Sequence, residues 1–301
     1  MRICSLLPSA TEIAYAIGLG DSIVGVSHEC DFPAEATGKP SLLRTRIDPH
    51  APPAEIDRQV TEIIRRGESI YAVDAEMLSS LAPDLILTQD LCHVCAASPD
   101  DLATALTRFP HPPQVLALTP RSLDEVWDDV RKVGEATGQQ QEAEALASAL
   151  TRRVADIAAV AARARSRPRV LCLEWLDPYF VGGHWVPEMV AHAGGEDVLG
   201  LSREPSFKVS EAQIAQSGAE LIVVMPCGYN TERAAVECQA VPFPESWRDL
   251  LAVRNRRVYA ADANAYFSRP GPRLADGVAV LAHLIHPELF PSFPAGSFHA
   301  V

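Results

Sequence analysis

The chain has 301 residues, 48% of them hydrophobic and 22% charged, with a formal net charge of −13. That composition belongs to a globular protein able to bury one large core or two moderate ones, and it argues against disorder. The acidity argues against a nucleic-acid partner or an anionic membrane surface, either of which favours a basic face, and leaves a small molecule as the default ligand. No uninterrupted apolar run approaches the ~20 residues that cross a bilayer, so no membrane insertion is expected.

The chain opens on an apolar strand, Ile3 to Leu7, followed by Pro8. No basic region, apolar leader or small-residue cleavage site precedes it, which predicts a cytoplasmic protein, and a periplasmic one only if a leader has been removed. Ser9-Ala10-Thr11-Glu12 reads as a capping box, with Ser9 at the N-cap and Glu12 three residues on. The helix it opens stops at Gly18-Leu19-Gly20, and a second strand, Ser22 to Val26, runs into Ser27-His28-Glu29-Cys30-Asp31. Helices are expected from about Pro53 to Arg66 and from Asp74 to Leu81, then strands from Asp84 to Thr88 and from Gln114 to Leu118. Repeated strand, loop and helix predict a parallel sheet with helices on both faces.

Leu123, Val126, Val130 and Val133 recur at helical spacing, and after Gly138 so do Leu146, Leu150, Val154, Ile157 and Val160. The second set predicts a helix of about 25 residues, ~37 Å long, enough to bridge two lobes. Ser166-Arg167-Pro168 ends it. The strand pattern then restarts at Arg169 to Leu173, Glu220 to Met225 and Arg257 to Ala260, with helices at Pro187 to Ala193, at Ser210 to Gln216, and through Leu274, Val278, Leu281 and Ile285. The expected fold is α/β, two Rossmann-like lobes joined by one long helix with a ligand cleft between them. The N-terminal lobe takes residues 1–119, a helical linker 120–167 and the C-terminal lobe 168–301.

An odd count of seven cysteines, with no secretory signal read at the start, does not look like a disulfide framework. Cys4 and Cys172 sit inside apolar strands and read as inert core thiols. Cys30, Cys92, Cys95 and Cys227 each follow a strand, where an open α/β sheet presents its ligand-contacting groups. Cys92-His93-Val94-Cys95 fits one metal ion, one thiol pair or plain lining of a site; a zinc or iron centre would need further ligands from His28, Glu29, Cys30 or Cys227. His28 itself is open to three readings: ligand to a metal, base, or partner of the loop backbone.

Glu174 and Trp175 leave the first strand of the second half, and His184 and Trp185 follow Gly182-Gly183. The two indoles suit either a large planar ligand or core packing. Tyr266, Phe267 and Arg269 follow the last strand, and Arg273 reads as the start of a helix. No nucleophile with its base, phosphate-cradling glycine loop or His-Glu-x-x-His helix is present, so no catalytic residue is assigned.

Leu6-Leu7-Pro8-Ser9-Ala10-Thr11-Glu12, Val24-Gly25-Val26-Ser27, Leu81-Ala82-Pro83-Asp84-Leu85-Ile86, the long helix and Arg269-Pro270-Gly271-Pro272-Arg273 together carry a family likeness. The chain resembles the class III, cobalamin/iron-siderophore type, of periplasmic substrate-binding proteins, nearest to the cobalamin-binding branch. The resemblance implies non-catalytic binding of a corrinoid such as cobalamin, or of a similar metallo-tetrapyrrole, for uptake or handover. It implies that the loops at His28 to Asp31, Asp90 to Cys95, Glu174 to Trp175, His184 to Trp185 and Tyr266 to Arg269 line the cleft, with aromatic contacts from Trp175, Trp185, Tyr266 and Phe267. His28, His93 or a thiol would ligate cobalt. It implies an ABC permease partner docked through one glutamate per lobe. Glu76 matches the first; the second is expected near Ala212, where Glu211 stands one residue early, ~100° around a helix. The cysteine-rich loops suit a reducing cytosol better than an oxidising periplasm. The alternative is a metal-binding protein or metal-dependent enzyme built on the same cysteines and histidines.

Overall fold

The computed structural model describes residues 1–89, 99–241 and 243–301, and the chain divides into two compact units. The first comprises Met1–Pro120 and Trp127–Ser148, the second Arg121–Val126 and Ala149–Val301.

In chain order the first elements are β1 (Ile3–Ser5), α1 (Pro8–Ala16), β2 (Ile23–Gly25), β3 (Leu43–Thr45), α2 (Pro53–Arg65), β4 (Tyr71–Val73), α3 (Ala75–Leu81), β5 (Leu85–Thr88), α4 (Pro99–Leu106), β6 (Gln114–Ala117), α5 (Leu123–Thr137) and α6 (Gln140–Ala161). The sheet of the first unit runs β2-β1-β5-β6, every neighbouring pair parallel. Its two central strands, Ile3-Cys4-Ser5 and Leu85-Ile86-Leu87, are wholly buried, which is why they read as unbroken runs rather than as alternating ones. β3 and β4 form a separate antiparallel pair that the sequence did not announce. The long helix α6 spans 22 residues.

The expected capping box at Ser9 is not formed. α1 starts at Pro8, Leu7 takes the N-cap position, and no side chain caps it. Proline supplies the reason: its fixed φ and missing N–H suit the first helical position, which moves the boundary back and puts Ser9 inside the first turn. The chain does build a capping box at Ser210, whose Oγ accepts from the Gln213 N–H at 3.2 Å while Gln213 Oε1 accepts from the Ser210 N–H at 2.9 Å.

The second unit continues with β7 (Arg169–Leu176), β8 (Tyr179–Val181), α7 (Val186–His192), β9 (Glu196–Asp197), β10 (Phe207–Lys208), α8 (Glu211–Gln216), β11 (Leu221–Val224), α9 (Thr231–Ala240), α10 (Leu251–Arg254), β12 (Val258–Ala261), α11 (Ala263–Tyr266), α12 (Leu274–Ile285) and β13 (Phe298–Ala300). Its sheet runs β10-β8-β7-β11-β12-β13, with β9 also on β7. β7 with β11, β11 with β12 and the short β9 with the start of β7 are parallel; β8, β10 and β13 pair antiparallel. The expected parallel sheet is therefore mixed here, because the chain turns straight back after β7 instead of crossing over through a helix.

The core of this unit includes the fully buried Trp247, whose ring centroid lies 5.0 Å from that of Tyr179 and 5.3 Å from that of Phe243. Arg167 donates to the carbonyls of Ala191 and Gly195, Arg169 to that of Ser217, and Arg257 to those of Leu284 and Ile285. These guanidiniums meet carbonyls at or just past the ends of α7, α8 and α12, and they offset the negative ends of those helices. Among the described residues, no helix is long and apolar enough to cross a membrane.

Candidate functional site

Because β1, β2, β5 and β6 run the same way, their carboxyl ends share one edge of the first unit. The loop after β2 carries His28, Glu29 and Cys30. Glu29 accepts a hydrogen bond from the Tyr71 hydroxyl at 2.9 Å on Oε1, and His28 Nε2 lies 3.8 Å from the same oxygen. The His28 and Tyr71 rings are 5.6 Å apart between centroids. Cys30 is buried with its Sγ 3.1 Å from Thr11 Oγ1, so the thiol is tied into the start of α1 and is not presented at the surface. His28, by contrast, is exposed. Asp90, Cys92, His93 and Cys95 lie outside the described residues.

In the second unit, the parallel register pairs Leu173 with Val224, the last residue of β11. Glu174, Trp175 and Leu176 run on past that edge, and the hairpin with β8 pairs Trp175 with Phe180 and Leu176 with Tyr179. Trp175 is half-buried, its indole N–H donates to the Asp177 carbonyl at 3.1 Å, and its ring meets Tyr229 edge-on at 5.4 Å. Arg233 stacks on Tyr229, with its guanidinium carbon 3.8 Å from the ring centroid. The Cys227 N–H donates to the Glu174 carbonyl at 3.3 Å, which places the exposed Cys227 beside the base of the hairpin. Tyr266, at the end of α11, is half-buried; burial, with Asp276 and Asp262 nearby, raises its hydroxyl above the ordinary value. Arg269 follows it and is half-buried.

His184 sits in the left-handed region, at φ 49°, and is half-buried. Burial, and then the Arg121 guanidinium, hold its imidazole below the usual histidine value, which favours the neutral form. Glu174 Oε1 accepts from the Gly183 N–H at 3.4 Å, linking this loop to the hairpin.

Two expected ligand contacts are corrected. Trp185 and Phe267 are 4% and 1% exposed, and the Trp185 indole N–H donates to the Phe267 carbonyl at 2.7 Å. Each ring is covered by the protein itself, so they brace α7 against the segment after α11. A local sequence pattern does not encode burial, which is why they read like Trp175 and Tyr266. The sequence reading also passed over Tyr71, Tyr229 and Thr11, which contact the expected residues Glu29, Trp175 and Cys30, and Arg121, whose charge acts on His184. Pro226-Cys227-Gly228-Tyr229 directly after β11 was the available signal for Tyr229; Tyr71 lies 42 positions from Glu29 and had none.

The metal-centre expectation is not supported. Among the described residues, no group of three or more histidine, cysteine, aspartate or glutamate side chains is placed to hold an ion. Cys4 and Cys172 are core thiols as expected: burial pushes Cys4 up to about 12 and Cys172 well above the ordinary value, so neither forms a thiolate. Burial likewise pushes Cys238 up to about 12.

The chain is 26% identical over 297 residues to an uncharacterized ABC transporter substrate-binding lipoprotein, YvrC, of Bacillus subtilis strain 168, covering 96% of this chain and 81% of that one. It is 25% identical over 284 residues to a Vitamin B12-binding protein of Vibrio cholerae serotype O1 (strain ATCC 39541), covering 92% and 86%. In fold it is similar to the periplasmic heme-binding protein RhuT of Roseiflexus sp. RS-1, with a TM-score of 0.71, 24% identity and 96% and 98% of the two chains covered. The cytoplasmic expectation is overturned by these findings, since the family is periplasmic and a relative is a lipoprotein. The Periplasmic binding protein family matches residues 3–265, and the chain belongs to it, a family of non-enzymatic substrate-binding proteins that deliver small molecules to ABC permeases.

Proposed function

We propose that this protein binds a corrinoid, without catalysis, on the loops that follow the carboxyl ends of its parallel strands. The observation that carries the reading is Trp175. Its ring is half-buried and locked by the Asp177 carbonyl and the edge of Tyr229, on the part of β7 that runs past the end of β11. A fixed, part-exposed aromatic surface pays little ordering entropy when a large flat ligand settles on it. Tyr266, in the same unit, adds a second part-exposed aromatic. The neutral imidazole of His184 supplies an acceptor for an amide N–H or a lone pair for a metal at the centre of the ligand.

The ligand class is supported by the Vibrio relative, whose name records vitamin B12 binding and which aligns over nearly the whole chain. The haem-binding structure resembles this chain in fold alone. Glu76 and Glu211 remain the candidates for docking on the permease. Both are exposed in the first turn of a capped helix, with Asp74 accepting from the Met77 N–H and Ser210 from the Gln213 N–H. Glu76 is the second residue of α3 and Glu211 the first of α8, so the one-residue offset read from the sequence persists, and the Ser246 hydroxyl donates to Glu211.

Visible spectra recorded during titration with cyanocobalamin, cobinamide and haemin test the proposal. A saturable change with either corrinoid, at stoichiometric protein, is the expected result. Binding of haemin alone, or of none of the three, overturns it.

A further inference from the structure

The segment Arg121–Val126 belongs to the second unit, whereas Pro120 before it and Trp127 after it belong to the first. Two carboxylates hold this crossover. Glu188, on α7, accepts from the Leu123 N–H on Oε2 at 3.1 Å and from the Ser202 hydroxyl on Oε1 at 2.9 Å. Glu125 accepts from the Arg121 N–H on Oε2 at 2.7 Å, and its Oε1 pairs with the Arg203 guanidinium. Leu123 opens α5, so its N–H is one of the donors that a helix start leaves without an internal partner, and a carboxylate there also suits the positive end of the helix.

Residues 202 and 203 belong to a strap, residues 198–206, that in turn grips the His184 loop. The His184 N–H donates to the Glu204 carbonyl at 2.6 Å, and the Arg203 N–H donates to the His184 carbonyl at 2.8 Å. His184 and Arg203, at φ 49° and 68°, are both non-glycine residues in the left-handed region, a conformation that persists only where surrounding contacts impose it. The fit is close on the other side too, since a Cβ on Gly183 would come within 2.5 Å of the Glu204 oxygen. An exposed Arg203–Glu125 pair alone would hold little. The shared Glu188 carboxylate, with one oxygen on the strap and the other on the helix start, makes the connection continuous.

We propose that Glu188 and Glu125 are positioning residues for the His184 loop. They join loop, strap and the first turn of α5 into one cooperative unit, so that whatever engages His184 also tightens the hold on residues 121–126. The ligand half of this inference rests on the corrinoid reading; the cooperative half does not.

Hydrogen exchange on the whole protein tests both. Glu188→Gln keeps size and one acceptor, yet it turns an amide N–H₂ toward a donor. Amides of residues 122–126, 183–186 and 202–205 should then all exchange about tenfold faster, as loss of a charge-assisted hydrogen bond allows, while those of β11 stay unchanged. Acceleration confined to the residues around position 188 overturns the proposal. Should that variant not fold, the wild-type protein at rising urea decides: one common slope for the three segments supports it and three different slopes overturn it. With cyanocobalamin bound, as read by its visible spectrum, residues 122–126 should gain protection together with 183–186. Corrinoid binding without protection at 122–126 overturns the coupling. If no corrinoid binds, the proposed function fails, and the ligand-free exchange still decides on the cooperative unit.

Discussion

The two units use one plan at their centres and different plans at their edges. In the first, four parallel strands send every loop from a shared carboxyl edge, and His28, Glu29 and Cys30 sit in one of them. In the second, β7, β11 and β12, with the short β9 beside β7, are parallel, and β8, β10 and β13 run the other way. The β7–β8 hairpin carries Trp175 past the end of β11 while returning the chain to His184. The difference teaches that a central parallel sheet sets where a site is, whereas antiparallel additions at its margin set which side chains reach it. They also handle buried charge differently. Asp129, in the first unit, is buried with Lys132 Nζ 2.6 Å from its Oδ1. Asp197, at the end of β9 in the second, is held instead by the Leu199 and Gly200 N–H groups on Oδ1.

That contrast can be broken at Asp197. Burial raises its carboxyl from 3.8 to about 6, against the lowering effect of the two backbone N–H groups. A folded value above the unfolded one favours the protonated form, so its contribution is complete below pH 3.8 and is lost as pH rises through about 6. The shift corresponds to about 3 kcal/mol. Asp197→Asn should remove this fall, leaving the variant more stable than wild type at pH 7 and close to it at pH 4. Urea midpoints at the two pH values measure it, and a constant difference between the proteins at both would refute the assignment.

A smaller effect sharpens the contrast between α8 and α1. Ser210→Ala removes a formed capping box and should cost about 1 kcal/mol in urea unfolding. Ser9→Ala removes no cap and should cost distinctly less. Equal losses would mean that Ser9 does cap α1.

Much of the scaffold was legible because strands buried on both faces are apolar runs, as in Leu85-Ile86-Leu87 and Leu221-Ile222-Val223-Val224, and because proline and glycine punctuate the helices. The edges were not legible. β8, β9, β10 and β13 are two or three residues long, too short for any period to show. The site was half legible for a related reason. A residue's place after a strand can be read from its neighbours, but its exposure depends on what distant segments cover. Trp175 and Trp185 look alike in the sequence, yet only one offers its ring. Cys30 looked like a ligand and is a buried neighbour of Thr11.

The role given to Trp175 and Tyr266 is open to one direct measurement, equilibrium dialysis of cyanocobalamin against wild type and against the Trp175→Ala, Tyr266→Ala double variant, with folding of both checked by urea unfolding. Each lost aromatic contact should cost on the order of 1–3 kcal/mol, so the pair should weaken binding about a hundredfold or more. Equal affinity in a folded double variant would contradict a corrinoid site on the second unit's hairpin and α11.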